Sequence, residues 1–528
     1  MVCAIDYELG YLFEPKAAPP GWQDDKAVLA RFWRFRERVA MSADEAENWL
    51  EPWQKAAAGV GGVRSGMAEP DYLAAVQRVQ HWIAEGDCYQ VNLTLPLQFD
   101  WFGAPLALYA RLRDKQPVRY GGYIGDGCGG VLSLSPELFI ERRGDRIVTR
   151  PMKGTMPRSA PAESLRQSTK DRAENLMIVD LLRNDLGRVA TPGSVVVDEL
   201  FTVEDYPTVW QMVSEVSASV PGRDWLDILQ AMFPCGSITG APKVRAMQIA
   251  AELEIGPRGT YTGSLGWVAP NGDFRLNVAI RTLELAAGHQ GKMGVGSGIV
   301  ADSDAAGEWR ECQLKSRFLR ELDPGLSLIE TLRREEGGYP SLDGHLARLQ
   351  SSAQWFAFPY DETRVRAVLN ALPVDGVQRV RLMLGADGVP KAEAFALLPE
   401  PAGKRCARLA KERIDAFDPL RRHKTTARAI YDAALKALAG TPEVFDTVFL
   451  NQRGEVAEGA RSNVFVERDG CLLTPPLESG ALPGVLRAEL LASGRAREST
   501  LYPADLADGF WLGNALRGLV RVAWQPES

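Results

Sequence analysis

The stretch Ser135–Thr155, SPELFIERRGDRIVTRPMKGT, constrains this chain more than any other. Two runs rich in β-branched and apolar residues flank Gly144-Asp145, a usual two-residue turn pair, which predicts an antiparallel hairpin. If the turn closes with Arg143 opposite Arg146, the register sets Glu137 beside Met152, next door to Lys153. A carboxyl group and an amine then stand at one end of one hairpin. A Lys of lowered pKa can attack while a Glu of raised pKa protonates what leaves. A strand-end ion pair worth under about 1 kcal/mol fits the same pattern, and the local sequence leaves both readings open.

At 528 residues the chain exceeds one ordinary core, and its length allows about three domains. A hydrophobic content of 45% and a charged content of 24% are those of a soluble globular protein. The net charge of −7 argues against a nucleic-acid partner, since no basic stripe is available to neutralise phosphates. Small anionic substrates need only local Arg and Lys. The first residues carry Asp6 and Glu8 where a signal peptide needs positive charge. No run of about 18 or more apolar residues predicts a membrane span. The seven Cys form no CxxC pair, and His81, His289, His345 and His423 lie far apart. A zinc site or disulfide framework is not expected, and a reducing cytoplasm is.

The hairpin keeps ordered company. GDCYQVNLT (Gly86–Thr94), SPELF (Ser135–Phe139), PMKGT (Pro151–Thr155) and ENLMIVDLLRNDLGRV (Glu174–Val189) come first. PCGSITGAPKVRAM (Pro234–Met247), IRTLEL (Ile280–Leu285) and GSGIVADSDAAGEWRECQLKSRFL (Gly296–Leu319) follow. Together they resemble the chorismate-utilising family, which includes anthranilate synthase component I, aminodeoxychorismate synthase component I, and isochorismate and salicylate synthases. The resemblance covers most of residues 1–321 and implies the two-sheet α+β sandwich of anthranilate synthase component I. Such proteins usually have more sheet before a string like AIDYELGYLFEP, so either the first layer is trimmed or the start lies downstream of the real one.

Local pattern places the motifs. Tyr72, Leu73, Val76, Val79 and Ile83 make Asp71–Glu85 an amphipathic helix ended by Gly86, and Cys88–Phe99 alternates as a strand. Ala56–Gly66, rich in Ala and Gly, reads as a loop or linker. Glu174 opens a helix striped with Met177, Ile178, Leu181 and Leu182, and Glu308, Glu311 and Lys315 share one helical face. By itself the second set is an ion pair on a solvated face. The family resemblance instead implies that Glu174 and Glu311, with Glu308 nearby, hold Mg²⁺ over the substrate. Hard carboxylate oxygens suit that ion, which keeps several waters.

The same resemblance implies that Lys153 attacks the chorismate ring, that Glu137 protonates the departing hydroxyl, and that ammonia then displaces Lys153. Anthranilate synthases typically show Ala at that Lys. Isochorismate and salicylate synthases use a Lys base where Gln90 stands, which favours ammonia over water here. Arg281 resembles a carboxylate clamp. Gly296 and Gly298 lack dinucleotide spacing and suit close backbone approach to a substrate carboxylate, with Thr239 and Lys315 near the substrate. Lys243 serves structure as easily as substrate. Anthranilate synthases carry a His where Gln211 stands, and Gln cannot transfer a proton at neutral pH.

At Leu322-Asp-Pro-Gly325 the first pattern stops. LSLIETL, HLARL, HKTTARAIYDAA, EVAEGARSNVFV, TPPLESGALPGVLR and GNALRG then follow. Over residues 326–528 these strings resemble the fold-type IV pyridoxal-phosphate enzymes, among them aminodeoxychorismate lyase and the branched-chain and D-amino acid aminotransferases. The resemblance implies an α/β unit in which Lys424 is the Schiff-base lysine of pyridoxal 5'-phosphate. Glu458 would bond the pyridine nitrogen, Arg348 and the Gly484 and Val485 amides would take the phosphate, and Ser462 and Asn463 would shape the pocket. Ala515 replaces a usual Ser or Thr, and Tyr431 is a cofactor contact or core.

The two halves are then expected to act in sequence. The first would make 4-amino-4-deoxychorismate from chorismate and ammonia, and the second would expel pyruvate to leave 4-aminobenzoate for folate. No glutaminase domain is visible, so ammonia comes from solution or from a separate glutamine amidotransferase subunit, and a homodimer through the second half is expected. Two alternatives stay open. One is an anthranilate synthase component fused to an aminotransferase-like domain, and the other is a non-catalytic first half that binds a glutaminase or a regulator.

Overall fold

The computed structural model describes residues 1–22, 28–127, 129–206, 209–399, 403 and 405–525. The chain is mixed α and β and divides into two compact units. Met1–Gln54, Val63–Phe99 and Pro105–Leu322 form the first, and Lys55–Gly62, Asp100–Ala104 and Asp323–Ser528 form the second. No described helix is long and apolar enough to cross a membrane.

Two sheets build the first unit. The nine-stranded one runs Val196–Asp205, Val209–Ser219, Arg146–Arg150, Leu138–Arg143, Phe274–Asn277, Ser264–Val268, Val2–Ile5, Ala30–Trp33, and Met152–Pro157 also pairs with Val209–Ser219. The seven-stranded one includes, in order, Gly240–Ala241, Gln90–Phe102, Gln290–Ile299, Thr282–Leu285, Gly130–Ser133 and Gly122–Gly125. Phe139, Ile140 and Ile147 of the hairpin face Ile178, Val179, Leu182 and Leu186 of the helix Thr169–Gly187 in one core. Burying such side chains contributes about 1.5–3 kcal/mol each, so this packing fixes where the hairpin's end points.

The hairpin forms with Arg143 opposite Arg146, and Gly144 supplies the positive φ (58°) that its turn needs. The simple register then fails. An irregularity between Leu138 and Glu141 pairs Leu138 with Arg150, and the second strand stops before Pro151, which has no N–H to give a ladder. Met152–Pro157 continues against a different strand, with Gln211 opposite Thr155 and Val213 opposite Met152. Met152 nevertheless hydrogen-bonds Glu137 through its backbone, so the bulge moves the strand without parting the two ends.

Two other local readings are corrected. The helix carrying Glu174 begins five residues earlier, at Thr169, because Ser168 caps it by accepting from the Asp171 amide. Ala56–Gly66 is not a loop throughout, since Gly59–Ser65 is a strand. Its glycines answer to packing: a Cβ on Gly61 would lie 2.2 Å from the Trp355 ring.

In the second unit Leu328–Arg334, Gln378–Leu384 and Pro390–Ala396 form an antiparallel sheet. Its core packs against the helices Leu342–Phe356 and Glu362–Asn370. An eight-stranded sheet runs Val456–Gly459, Val444–Leu450, Cys406–Leu409, Gly518–Trp524, Phe510–Asn514, Asn463–Arg468, Cys471–Thr474, Ala496–Glu498.

Candidate active sites

In the first unit the end of the hairpin is a buried, charged place. Glu137 is 4% exposed and accepts a hydrogen bond from Ser237 Oγ at 2.8 Å. Burial pushes its carboxyl up to about 7, against the pull of Ser237 and of the Lys153 charge. Burial also lowers the Lys153 amine, with the charge of Lys315 acting the same way, while Glu174, Glu137 and Glu311 oppose both. The hairpin's Glu and Lys are therefore poised in opposite senses, one held protonated more often than usual and one less.

Across from them lies the seven-stranded sheet. A Cβ on Gly298 would sit 3.3 Å from Lys153 Nζ and 3.1 Å from Gln90 Nε2, so the missing side chain leaves room where amine and amide converge. Gln90 is buried, and its Nε2 has no hydrogen-bond partner among the described residues. A buried amide without a partner costs about 1–3 kcal/mol, which makes it a donor waiting for an acceptor.

The acidic residues follow. Glu311 lies 2.7 Å from Lys315 Nζ, which also donates to the Gly296 carbonyl at 2.8 Å. Against the effect of burial, the Lys315 ammonium holds Glu311 below the usual carboxylate range. Glu174 is raised by burial, with Lys153 opposing. Glu308 accepts from Ser303 Oγ at 2.6 Å. Among the described residues no three His, Cys, Asp or Glu side chains gather as a metal-holding group.

The remaining expected residues are placed less directly. Gly296 sits in a strand where a Cβ would meet the Leu93 carbonyl at 2.5 Å, so strand packing alone demands glycine there. The Thr239 hydroxyl donates to the Cys235 carbonyl at 2.8 Å, and the neighbouring Gly240 and Ala241 pair with Val91 and Gln90. Arg281 adopts φ 50° and donates to Gln116 Oε1 at 2.8 Å. Burial lowers its pKa, with the Tyr206 phenol opposing. Lys243 lies 2.6 Å from Asp185, both buried, and is a structural pair. Sequence reasoning missed Ser237, which only its fold brings to Glu137. It also missed Asn175, whose side chain links the Lys153 carbonyl (3.5 Å) to Ser214 Oγ (2.6 Å).

The second unit holds a cavity of about 440 Å³. Lys424, Glu458, Arg348, Ser462, Asn463, Gly484, Val485 and Ala515 all line it. Lys424 Nζ lies 3.2 Å from Thr331 Oγ1, and burial followed by the Arg348 charge brings its amine down to about 8. Arg348 grips Glu330 with Nε (2.8 Å) and Nη2 (2.5 Å), and His345 Nδ1 meets the same carboxylate at 2.7 Å. Against the effect of burial, these partners hold Glu330 at about 2. Glu458 accepts from Tyr431 Oη and from the Leu482 amide.

The cavity's rim is fixed from behind. Ser462 donates to Asp446, and Asn463 Nδ2 donates to the Leu482 carbonyl at 2.9 Å, while a Cβ on Gly484 would collide with Asn463 Oδ1. The Gly484 amide already donates to Leu482, so of the two expected phosphate amides it is Val485 that opens a helix at the cavity, an arrangement that favours an anion. Arg379, Arg381, Arg421, Arg428, Arg461 and Arg517 also line this space, whose chemistry is that of an anion-accepting pocket with an amine at its floor.

Residues 1–321 match the pattern of the family described as chorismate binding enzyme, and residues 327–523 match that of amino-transferase class IV. The chain is 45% identical over 342 residues to aminodeoxychorismate synthase component 1 of Klebsiella aerogenes, covering 60% of this chain and 76% of that one. It is 43% identical over 269 residues to aminodeoxychorismate synthase component 1 of Escherichia coli (strain K12), covering 49% of this chain and 59% of that one. The crystal structure of anthranilate synthase component I from Streptococcus pneumoniae TIGR4 is similar at a TM-score of 0.51 and 25% identity, over 60% of this chain and 80% of that one.

Proposed function

Because this chain belongs to the chorismate binding enzyme family and carries a class IV amino-transferase unit behind it, we propose that it makes 4-aminobenzoate in two steps. The first aminates chorismate to 4-amino-4-deoxychorismate, and the second removes pyruvate. The observation that carries this reading is the buried pair Lys153 and Glu137, shifted in opposite directions beside the partnerless Gln90 amide.

In the first step the neutral Lys153 Nζ bonds to the chorismate ring while the 4-hydroxyl leaves as water, taking its proton from Glu137. Ammonia then displaces the lysine, and its surplus proton returns to Glu137. Gln90 Nε2 donates to a substrate oxygen, and Arg281, the Gly298 backbone, Thr239 and Lys315 bound the substrate's carboxylates. Glu174 and Glu311 suit Mg²⁺ as hard oxygen donors, while Glu308, expected with them, is engaged by Ser303 and does not gather with them as a third ligand. Two carboxylates leave the rest of its shell to water and substrate oxygen, which is how this ion is commonly held. Bound there, it would neutralise the substrate's negative charge.

The second cavity fits pyridoxal 5'-phosphate by its donors: an amine, a carboxylate, a guanidinium and a helix N-terminus. Lys424 would bond it, Glu458 would face its ring nitrogen, and Arg348 with the Val485 amide would hold its phosphate. When bound it supplies an electron sink. Lys424 Nζ, low enough in pKa to lose its proton near neutrality, takes the proton from the amine-bearing carbon. The surrounding arginines orient the substrate's carboxylates. Ammonia would come from solution or a separate glutamine amidotransferase, and the enzyme would serve folate synthesis in the cytoplasm, as a dimer through its second unit.

Incubation with chorismate, Mg²⁺ and ammonium, followed by identification of the aromatic product, tests the reading. 4-Aminobenzoate and pyruvate are expected. Anthranilate, or full-rate conversion by Lys153→Ala, would overturn it.

A further inference from the structure

Arg421, Tyr431 and Glu458 line the second cavity, and Asp418 is joined with them in one line of hydrogen bonds. Asp418 Oδ2 accepts from Arg421 Nη2 at 2.8 Å, and Asp418 Oδ1 accepts from the Leu420 amide at 3.0 Å, which fixes the acid at the start of the short helix Pro419–Arg422. Arg421 Nη1 donates to Tyr431 Oη at 2.8 Å. The single phenolic proton of Tyr431 is thereby directed to Glu458 Oε1, 2.5 Å away. The other oxygen, Oε2, accepts from the Leu482 amide at 2.9 Å.

Tyr431 and Glu458 are 8% and 7% exposed, so water does little for either. Arg421 and Arg428 lie 5.4 and 5.6 Å from the centre of the Tyr431 ring. The charged groups that act on Glu458 are thus Arg421 and Arg428, with Lys424 across the cavity. A hydrogen bond from a phenol that is itself backed by a guanidinium stabilises the ionised carboxylate, whereas burial alone favours the neutral acid. Burial is the larger effect and raises the Glu458 carboxyl above its usual range, and the Tyr431 hydrogen bond, ahead of the Leu482 amide and the Arg421 and Arg428 charges, works against it.

We propose that Tyr431, held by Arg421, is a positioning residue that keeps Glu458 ionised, so that the proton Glu458 shares with a heteroaromatic nitrogen in the cavity resides on that nitrogen. This rests on the pyridoxal 5'-phosphate reading above. A protonated ring nitrogen withdraws electrons more strongly than a neutral one, so Tyr431 would set the strength of the sink through Glu458. No atom is gained or lost; the proton moves between Glu458 Oε1 or Oε2 and the ring nitrogen.

The test loads the full chain with pyridoxal 5'-phosphate carrying ¹⁵N in the ring and reads that nucleus by NMR at neutral pH. The wild type is expected to show the protonated shift, and Tyr431→Phe the unprotonated one, with cofactor still bound. Replacement of Tyr431 by 3-fluorotyrosine keeps the donor and is expected to keep the wild-type shift. A Tyr431→Phe protein that binds cofactor and retains the protonated shift overturns the proposal, as does loss of that shift with fluorotyrosine, which would mark a packing defect. Should Tyr431→Phe fail to hold cofactor, Arg421→Gln is read instead. A shift toward the unprotonated range supports the relay, and an unchanged one overturns it. A wild type that takes up no cofactor overturns the cofactor reading itself, and the relay with it.

Discussion

Gln211 Nε2 donates a hydrogen bond to the carbonyl oxygen of Gly154 at 2.8 Å, one residue beyond Lys153. Its other amide atom, Oε1, accepts from Thr155 Oγ1 at 2.8 Å. The side chain at a position where a His was expected by resemblance to anthranilate synthases is thus used to hold the strand that carries the lysine. Asn175 Nδ2 donates to the Lys153 carbonyl at 3.5 Å, so two side-chain amides hold two consecutive peptide units.

Gln211→Glu keeps the shape but replaces the donor with a carboxylate facing a carbonyl oxygen. Losing that bond costs about 1–3 kcal/mol, which at about 1.4 kcal/mol per decade is a fall in kcat of about 5- to 150-fold. KM for chorismate is expected to hold. Steady-state kinetics with ammonium read both, and an unchanged kcat would remove Gln211 from any role in placing Lys153.

Glu137 gives the first step a pH signature. As an acid held up at about 7, it must be protonated to act, so chorismate turnover is expected to fall as pH rises through about 7. Ser237 stabilises the ionised form, and Ser237→Ala should therefore move this limb to higher pH. The same shift gives a stability signature. The folded state holds this proton more tightly than the usual 4.5 of an exposed Glu, so its stabilising effect is present below 4.5 and lost as pH rises through about 7. Glu137→Gln should flatten the unfolding midpoint over that window.

Lys243 and Asp185 form a buried pair, 8% and 3% exposed at their side chains. Lys243→Met leaves Asp185 charged without its partner and is expected to destabilise the first unit by about 3–5 kcal/mol. The double variant Lys243→Met/Asp185→Leu should recover most of that loss. Urea unfolding followed by fluorescence measures both. Equal stability of the single variant and the wild type would contradict the pairing.

Lys424, with its amine at about 8, needs to lose a proton before it can bond a carbonyl carbon. Added pyridoxal 5'-phosphate is expected to turn the protein yellow at a rate that rises with pH and levels above about 8. Lys424→Ala should show no such band. Absorption spectroscopy decides, and a band that survives in Lys424→Ala would move the bonding site elsewhere.

What the sequence determined by itself is local. Gly144-Asp145 set the hairpin turn, and the spacing of apolar residues set the helix carrying Tyr72 and Ile83 and the one carrying Glu174. The short strings around Lys153 and Lys424 carried the family resemblance, because turn chemistry and side-chain period depend on near neighbours. What the tertiary structure decided is which distant groups meet. Ser237 reaches Glu137 across 100 residues, Asp185 rather than substrate claims Lys243 across 58, and Arg421 and Glu458 meet on one phenol. A one-residue bulge between Leu138 and Glu141 and the order of strands in two sheets fix those meetings. The pKa of each candidate group follows from the burial that results, and burial is a property of the packed molecule that no stretch of chain contains.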